Sequence, residues 1–250
     1  MSPIYVPGKV VLAKTYVEGD RYFSNVSLLL HGNGTNGSTT ITDNSPAPKT
    51  VTADGNAQIS TAQSKFPGGS SIAFDGNGDY LSTATGSDFV IGFSDFTIEF
   101  WAWKSANGAN SYDGVVSSDV TSGTTPFPGS ATNGFTVELS AARGFIFIAN
   151  DTALASYNFN PNDSTWRHYA VARSGNQLRL FTDGMLRATQ TNSTNLNANY
   201  SIRVGSYGAL SGATAFWFNG YIDDLRVTKG IARYTSNFDP PTAPFADAQY

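Results

Sequence analysis

The chain has 250 residues, of which 40% are hydrophobic and 13% aromatic, enough to bury a sizeable core, whereas only 14% are charged. The net charge of -4 argues against a nucleic-acid partner, because binding to phosphates requires a basic face. The absence of cysteine excludes disulfides, thiolate metal sites and cysteine nucleophiles.

The N-terminal stretch MSPIYVPGKVVLAK lacks a charged region followed by a long apolar run, so we expect no secretory signal. Nothing in the sequence approaches the roughly 18 consecutive apolar residues of a membrane span, so we expect no membrane contact. Residues 1–25 are interrupted by Pro and Gly and hold one short apolar run. They are predicted to form an extended arm, followed by a single domain over residues 26–250.

The rest of the chain has the pattern of an all-β sandwich. Segments of alternating hydrophobicity recur with turn signals between them, and the low charge with abundant Gly, Ser, Thr and Asn favours short strands over solvent-facing helices. The best strand segments, in chain order, are SIAFDGNGDYLST, DFTIEFWAWK, GFTVEL, GFIFIAN, WRHYAVARSGNQLRLFTDGMLRATQ, SIRVGSY and FNGYIDDLRVTKG. The fifth of these, with its two internal turns, predicts an antiparallel meander of three strands.

The stretch FDGNGDYL raises the question of calcium, since Asp75, Asn77 and Asp79 alternate as in the first half of an EF-hand loop. Such a loop needs Gly at its sixth position and Glu at its twelfth, where this chain has Tyr80 and Gly86. The Gly-Asn-Gly centre between alternating segments instead predicts the turn of a β-hairpin.

Together, the phrases SLLLHGNGTNGSTTITDNS, SIAFDGNGDYL, DFTIEFWAW, STWRHYAVARSGNQLRLFTDGML and FNGYIDDLRVTKGIARY resemble the laminin G-like jelly roll of the concanavalin A-like lectin and glucanase superfamily. The resemblance covers residues 27–245. It implies a two-sheet antiparallel jelly-roll sandwich. The amino-acid sequences of the first phrase and of STAQSKFPGGSSIAFDGNGDYL are most similar to copies of this domain in tailed bacteriophages, which implies a virion protein.

The resemblance also implies one structural calcium between the N-terminal segment and the last strand, as in relatives of the superfamily. The matching positions are Asp43 and Asn44, the backbone carbonyl of Gly32, and Asp223. The alternative is that Asp43 and Asn44 shape a turn before Pro46 and that Asp223 pairs with an arginine.

The superfamily includes laminarinase-like glycosidases, which hold their carboxylates on one strand as Glu-x-Asp-x-Glu. Retaining glycosidases need two carboxyl groups about 5 Å apart. This chain has no such strand, because Glu99 is followed by Trp101 and Trp103, and Glu138 stands alone. We therefore expect no catalytic residues and no enzyme activity of this type.

Aromatic side chains give the best indication of binding, because sugar rings stack on aromatic faces and their hydroxyl groups form hydrogen bonds with nearby amides and carboxylates. Trp101 and Trp103 share one predicted strand face with Glu99, while Trp217 and Tyr221 lie four residues apart. These five residues are predicted to contact a glycan. The alternative is that they pack in the core or at a subunit interface.

The sequence thus predicts a non-enzymatic bacteriophage virion structural protein, either a capsid-surface decoration protein or a tail-associated one, whose jelly roll adheres to host glycans. A receptor-binding lectin module of a tail fibre is the alternative, and a glycoside hydrolase is a third. We expect self-association as a trimer or another closed ring, contact with other virion proteins through the arm, and location in the extracellular particle after synthesis in the host cytoplasm.

Overall fold

The computed structural model describes residues 19–109, 111–118, 133–150, 152–208 and 215–249, which form an all-β sandwich. The strands are β1 Val26–Leu30, β2 Val51–Asp54, β3 Gln58–Ser60, β4 Ser71–Asp75, β5 Tyr80–Thr83, β6 Phe96–Trp103, β7 Gly114–Ser117, β8 Phe135–Ser140, β9 Gly144–Ala149, β10 Thr152–Tyr157, β11 Arg167–Ser174, β12 Gln177–Thr182, β13 Met185–Thr191, β14 Arg203–Val204, β15 Ser206–Gly208, β16 Ala215–Trp217 and β17 Asn219–Lys229. Short 3-10 helices occupy Phe23–Asn25 and Ser87–Phe89.

Two antiparallel sheets enclose the core, as the sequence predicts. The first sheet has the order β13-β12-β11-β6-β17-β4-β3, with β1 pairing the second half of β17; the other has the order β10-β9-β8-β7-β14-β5-β2. Strands β11 to β13 form the predicted meander. Alternate residues of β6, including Phe96, Ile98 and Phe100, point into the core between the sheets and are fully buried.

The predicted hairpin at FDGNGDYL is wrong. Strand β4 pairs with β17 and β3 in the first sheet, whereas β5 pairs with β14 and β2 in the second. The Gly-rich turn therefore carries the chain from one sheet to the other. Alternating hydrophobicity is the same for a hairpin and for such a crossing, because both place every second residue in the core.

A C-terminal segment, residues 231–249, covers much of the outer face of the first sheet. Phe238 and Tyr234 pack on Ala170, Ala172 and Phe181. Further along the same segment, Phe245 packs on Val26 and Leu29 of β1, and its N–H donates to Asp224 Oδ2 at 2.6 Å. This third layer buries polar and aromatic side chains that a two-layer sandwich would leave in solvent.

The N-terminal boundary lies earlier than the predicted one. Residues 1–18 of the predicted arm lie outside the described residues, but Asp20 is buried against the domain. Its carboxylate accepts hydrogen bonds from Arg226 at 3.0 Å and from Arg233 at 2.6 Å, and its N–H donates to Ala248 O. Residues 20–25 therefore belong to the domain.

Candidate functional site

An open groove of about 390 Å³ lies on the outer face of the first sheet, beyond the end of the C-terminal layer. Its floor is one row of cross-strand neighbours: Tyr221 of β17 pairs with Trp103 of β6 on one side and with Ala73 of β4 on the other, and Ala73 pairs with Gln58 of β3. Paired residues of antiparallel strands share a face, so all four side chains lie on the groove side. The methyl group of Ala73 leaves a depression between Tyr221 and Gln58.

Trp103 and Tyr221 form an aromatic corner at one end of this row. Their ring centroids lie 5.5 Å apart and their planes meet at 73°. Both residues are half-buried, so each ring keeps solvent-facing surface. An edge-to-face arrangement is favourable for aromatic rings and holds the two faces at a fixed angle.

A second, polar row runs beside the aromatic one. Asn219 pairs with Asp75 across β17 and β4, and Ser105 and Asn56, which lie two residues from Trp103 and Gln58 along the chain, also line the groove. Asn56 Nδ2 donates to Asp75 Oδ2 at 3.2 Å. The groove therefore places carboxylate, amide and hydroxyl groups alongside the aromatic corner.

The turn within FDGNGDYL forms the rim of the groove. Asn77 N–H donates to Asp75 Oδ1 at 2.8 Å, an Asx turn that fixes the carboxylate. Gly76 has a φ of 82°, and a Cβ there would lie 2.8 Å from Asn219 Cβ and 2.9 Å from Gly108 Cα. Only glycine fits this close approach of three chain segments.

Asp79 is only 1% exposed and stabilises the rim through hydrogen bonds to the backbone. Its two carboxylate oxygens accept the backbone N–H groups of Asn56 at 2.7 Å and Asp75 at 2.9 Å. Burial raises the pKa of Asp79, and the neighbouring charge of Asp75 raises it further, although the two backbone hydrogen bonds oppose both effects.

A buried ion pair supports the opposite wall. Lys104 Nζ donates to Asp113, to Ala106 O at 3.0 Å and to Asn219 O at 3.2 Å, while Gly108 N–H donates to Asp113 at 3.0 Å. Burial lowers the pKa of Lys104 and raises that of Asp113, and each charge partly offsets the effect on the other. The pair ties the wall loop to Asn219 in the polar row.

Of the five residues predicted to contact a glycan, Trp103 and Tyr221 line the groove and Trp217 lies beside it. Trp217 is half-buried and stacks on Tyr80, with ring centroids 5.9 Å apart and planes at 28°. Tyr80 and Trp217 are close in sequence to Asp79 and Asn219, which line the groove.

The prediction is wrong for Glu99 and Trp101, because both are buried. Trp101 is 4% exposed and packs against Phe66 and His168. Glu99 is fully buried and bonds to Arg226 at 2.7 Å and to the Tyr234 hydroxyl at 2.7 Å. Neither side chain can reach a ligand in solvent.

The predicted calcium ligands are not brought together. All of the hydrogen bonds that Asp43 accepts come from its own turn and from β1: Oδ1 binds the N–H groups of Leu29 and Ser45, and Oδ2 binds the Ser45 hydroxyl and the Lys49 N–H. With four donors on two oxygens, the carboxylate is saturated. Asp43 thus shapes the turn before Pro46, as the alternative interpretation holds.

The other three predicted calcium ligands also lie apart from one another or are already hydrogen-bonded. Gly32 O accepts the Ser70 hydroxyl, and Gly32 and Asn44 line one cavity while Asp223 lines another. Across the described residues there is no group of three or more His, Asp or Glu side chains placed to share a metal ion. This donor set does not fit a calcium ion.

Asp223 has a different environment from the one predicted. It is 2% exposed, and its Oδ2 accepts the N–H of Lys65 at 3.0 Å in place of an arginine. Burial raises its pKa to about 7, with the charge of Asp224 adding to the effect and the Lys65 N–H and His31 opposing it.

Several groove residues have no signal in the sequence. Ala73, Gln58 and Asn56 are ordinary strand and turn residues, and it is the pairing register that places Ala73 beside Tyr221 and Gln58 beside Ala73. The one available hint was Asp75 in FDGNGDYL, an acidic turn residue next to a strand.

Comparisons with known proteins agree with the fold. A family model described as "Concanavalin A-like lectin/glucanases superfamily" matches residues 75–231. A comparison with curated protein sequences gave no match. Among the described residues, no helix has the length and apolar character needed to cross a membrane.

Solved structures with the same fold share little sequence with this chain. Domain 4 of AbnA, a GH43 extracellular arabinanase from Geobacillus stearothermophilus in complex with arabinotriose, is 14% identical with a TM-score of 0.54, over 83% of this chain and 94% of that domain. The binding domain of Paraclostridial Mosquitocidal Protein 1 is also 14% identical with a TM-score of 0.54, over 84% of this chain.

A structure of botulinum neurotoxin type C, whose cell entry depends on two ganglioside molecules, is 15% identical with a TM-score of 0.55, over 84% of this chain. The present chain spans about half the length of these two toxin structures.

Proposed function

Since the chain belongs to the concanavalin A-like lectin/glucanase superfamily, we propose that it is a non-catalytic glycan-binding protein whose ligand occupies the groove over Trp103 and Tyr221. The observation that carries this proposal is the pair of parallel rows, one with the aromatic corner and one with Asn219, Asp75 and Asn56. A sugar ring presents an apolar face of C–H groups and a rim of hydroxyls. The first suits an aromatic ring and the second suits amides and carboxylates.

The size and form of the groove support a short ligand segment. At about 390 Å³ it is near the lower end of the roughly 300–1,000 Å³ found for small-molecule sites. Domain 4 of AbnA, with the same fold, binds arabinotriose. We infer that one or two sugar residues of a longer glycan fill the groove here.

The described carboxylates support binding without catalysis. A retaining glycosidase needs two carboxyl groups that flank the scissile bond. Of the two acids in the groove, Asp75 is exposed, but Asp79 is buried with both oxygens bound to backbone N–H groups. Glu99 and Glu138 are fully buried and paired with Arg226 and Arg143.

We propose further that the chain is a virion protein of a tailed bacteriophage, either a capsid-surface decoration protein or a tail-associated adhesin. The support is the resemblance of the segments SLLLHGNGTNGSTTITDNS and STAQSKFPGGSSIAFDGNGDYL to copies of this domain in tailed bacteriophages. In this proposal residues 1–18 contact another virion protein, and the domain assembles as a trimer or other ring. Imaging the intact particle with an antibody against the domain tests this, because label on the capsid, on the tail, or on neither distinguishes the cases.

A glycan array tests the binding proposal. Wild-type protein should bind a defined set of oligosaccharides, and Trp103→Ala and Tyr221→Ala should each lose that signal. Phe93→Ala is the matched control, because Phe93 is 68% exposed and does not line the groove. A silent array with folded wild-type protein, or equal loss in the Phe93 variant, would count against the proposal.

A further inference from the structure

The charges of the groove residues indicate which class of glycan the groove binds. This inference rests on the proposed function. Among the described residues that line it, the only carboxylic acids are Asp75 and Asp79, and those lining residues include no Lys, Arg or His. Proteins that bind carboxylate, sulfate or phosphate groups use charge-assisted donors, above all Arg and Lys. This lining offers an anion no such partner.

The nearest cation along the chain, Lys104, cannot supply the missing charge. Its side chain is 1% exposed, and its Nζ is directed to Asp113 and to the carbonyl oxygens of Ala106 and Asn219. Turning it into the groove would leave Asp113 buried without its partner, which is strongly unfavourable. Lys104 therefore supports the wall and does not contact the ligand.

Asp75 is the charge that a ligand meets. It is exposed, and each of its oxygens accepts one hydrogen bond, from Asn77 N–H at 2.8 Å and from Asn56 Nδ2 at 3.2 Å. An ionised carboxylate has about four acceptor sites, so Asp75 keeps capacity for a hydroxyl or an ammonium group of the ligand. Because the Asx turn and Asn56 hold the carboxylate in place, little side-chain freedom is lost on binding.

A negative group on the sugar would be repelled by this carboxylate. Two like charges about 6 Å apart in water weaken binding by about 3-fold, and by about 10-fold where the groove lowers the effective dielectric constant by half. A positive group on the sugar would increase the affinity by the same factors. Both effects decline with salt, since the Debye length falls from about 30 Å at 0.01 M to about 8 Å at physiological ionic strength.

From these observations we infer that the groove discriminates by charge. It takes neutral glycans, binds sugars with a free amine more tightly through Asp75, and binds more weakly those glycans that carry carboxylate, sulfate or phosphate groups at the contacted residue.

The test is an array of neutral, amino-bearing and acidic oligosaccharides of matched backbone, read at 20 mM and 500 mM NaCl. For wild-type protein at 20 mM NaCl, the amino-bearing member of each matched set should bind about 3- to 10-fold more tightly than the neutral one, and the acidic member should bind more weakly by a similar factor. At 500 mM NaCl the three should converge. Asp75→Asn should remove the discrimination even at low salt, whereas Asp239→Asn, the same charge change at an exposed residue that does not line the groove, should retain it.

Acidic glycans bound as tightly as their neutral counterparts at 20 mM NaCl would overturn the inference and leave the proposed function intact, provided that Trp103→Ala still abolishes binding. The salt dependence of the wild-type protein gives this result without any variant. A silent array would overturn the proposed function itself, and the inference with it.

Discussion

Trp103 and Tyr221 are direct cross-strand partners whose rings meet edge to face, 5.5 Å apart, at the one end of β6 where the outer face of the sheet is open. Two residues earlier on the same face, Trp101 is buried, with Phe66, Lys65 and His168 against its ring. A buried tryptophan and a partly solvent-exposed one therefore lie two residues apart on the same face of one strand.

Ala73 separates the aromatic corner from Gln58, and its small size creates the depression. Ala73→Leu should fill it and reduce glycan affinity at least 10-fold. Because the side chain points away from the core, the free energy of unfolding should change by less than about 1 kcal/mol. Isothermal titration with an array-selected glycan and urea unfolding measure the two effects.

Thr189→Leu is the matched control for this substitution, since Thr189 is an exposed residue of β13 outside the groove. It should leave affinity unchanged. Unaltered binding by Ala73→Leu would mean that the depression is not occupied by ligand.

The Lys104–Asp113 pair should behave as a unit. Lys104→Met leaves the Asp113 carboxylate buried and unpaired, so it should lower the free energy of unfolding by about 3–5 kcal/mol. Adding Asp113→Asn removes that charge and keeps an acceptor for Gly108 N–H, so the double variant should be more stable than the Lys104 variant alone. Urea unfolding of both single variants and the double variant completes the cycle; additive losses would show that the two residues do not interact.

Glu99 should matter for stability rather than for binding. Burial alone would raise its pKa, but Arg226, His168 and Arg233 hold the pKa well below 4.5. A carboxyl group whose pKa is lowered by folding stabilises the folded state at any pH above its pKa in the unfolded chain. This stabilisation is lost progressively as the pH falls below about 4.5. Glu99→Gln should thus cost about 3 kcal/mol at pH 7 and less at pH 3.

The surface pair of Asp88 with Lys49 provides the comparison for Glu99. Asp88→Asn, at a side chain that is 51% exposed, should cost less than about 1 kcal/mol. If Glu99→Gln had as small an effect, the buried network would not contribute as the structure implies.

Asp223 should show the opposite pH dependence. Its pKa is raised to about 7 in the folded state, so the unfolded chain releases this proton first and the folded state loses stability as pH rises from about 4 to 7. Asp223→Asn keeps an acceptor for the Lys65 N–H but cannot ionise. Relative to wild type, its free energy of unfolding should increase by about 4 kcal/mol between pH 4 and pH 8, at about 1.4 kcal/mol per unit of pKa shift. A constant difference across this pH range in urea unfolding would contradict the assignment.

The two-sheet architecture was predictable from the sequence because alternation reports on burial directly. Phe96, Ile98 and Phe100 face the core as the pattern of DFTIEFWAWK indicates. The same pattern placed Glu99 and Trp101 on an outer face, and that placement is also right. Tyr234, 135 residues later, covers Glu99, and Phe66, from an earlier loop, covers Trp101; such long-range contacts leave no periodicity in the strand.

The groove itself was only partly predictable. Trp103 and Tyr221 were identified from their residue type, but their pairing depends on a register set by β6 and β17 across the sheet. Ala73 and Gln58 were not identified, because a small residue in a strand has no signal until its neighbours are known. FDGNGDYL was correctly identified as a turn, yet the sequence could not show that it joins two sheets or forms the rim.

The most direct test of the proposed site is a crystal structure of the protein with the oligosaccharide that gives the strongest array signal. We predict a sugar ring stacked on Trp103 or Tyr221, with its hydroxyl or amino groups bonded to Asp75 and to Asn219 or Asn56. A glycan bound elsewhere on the domain, with the groove free of ligand, would contradict the assignment of this groove as the binding site.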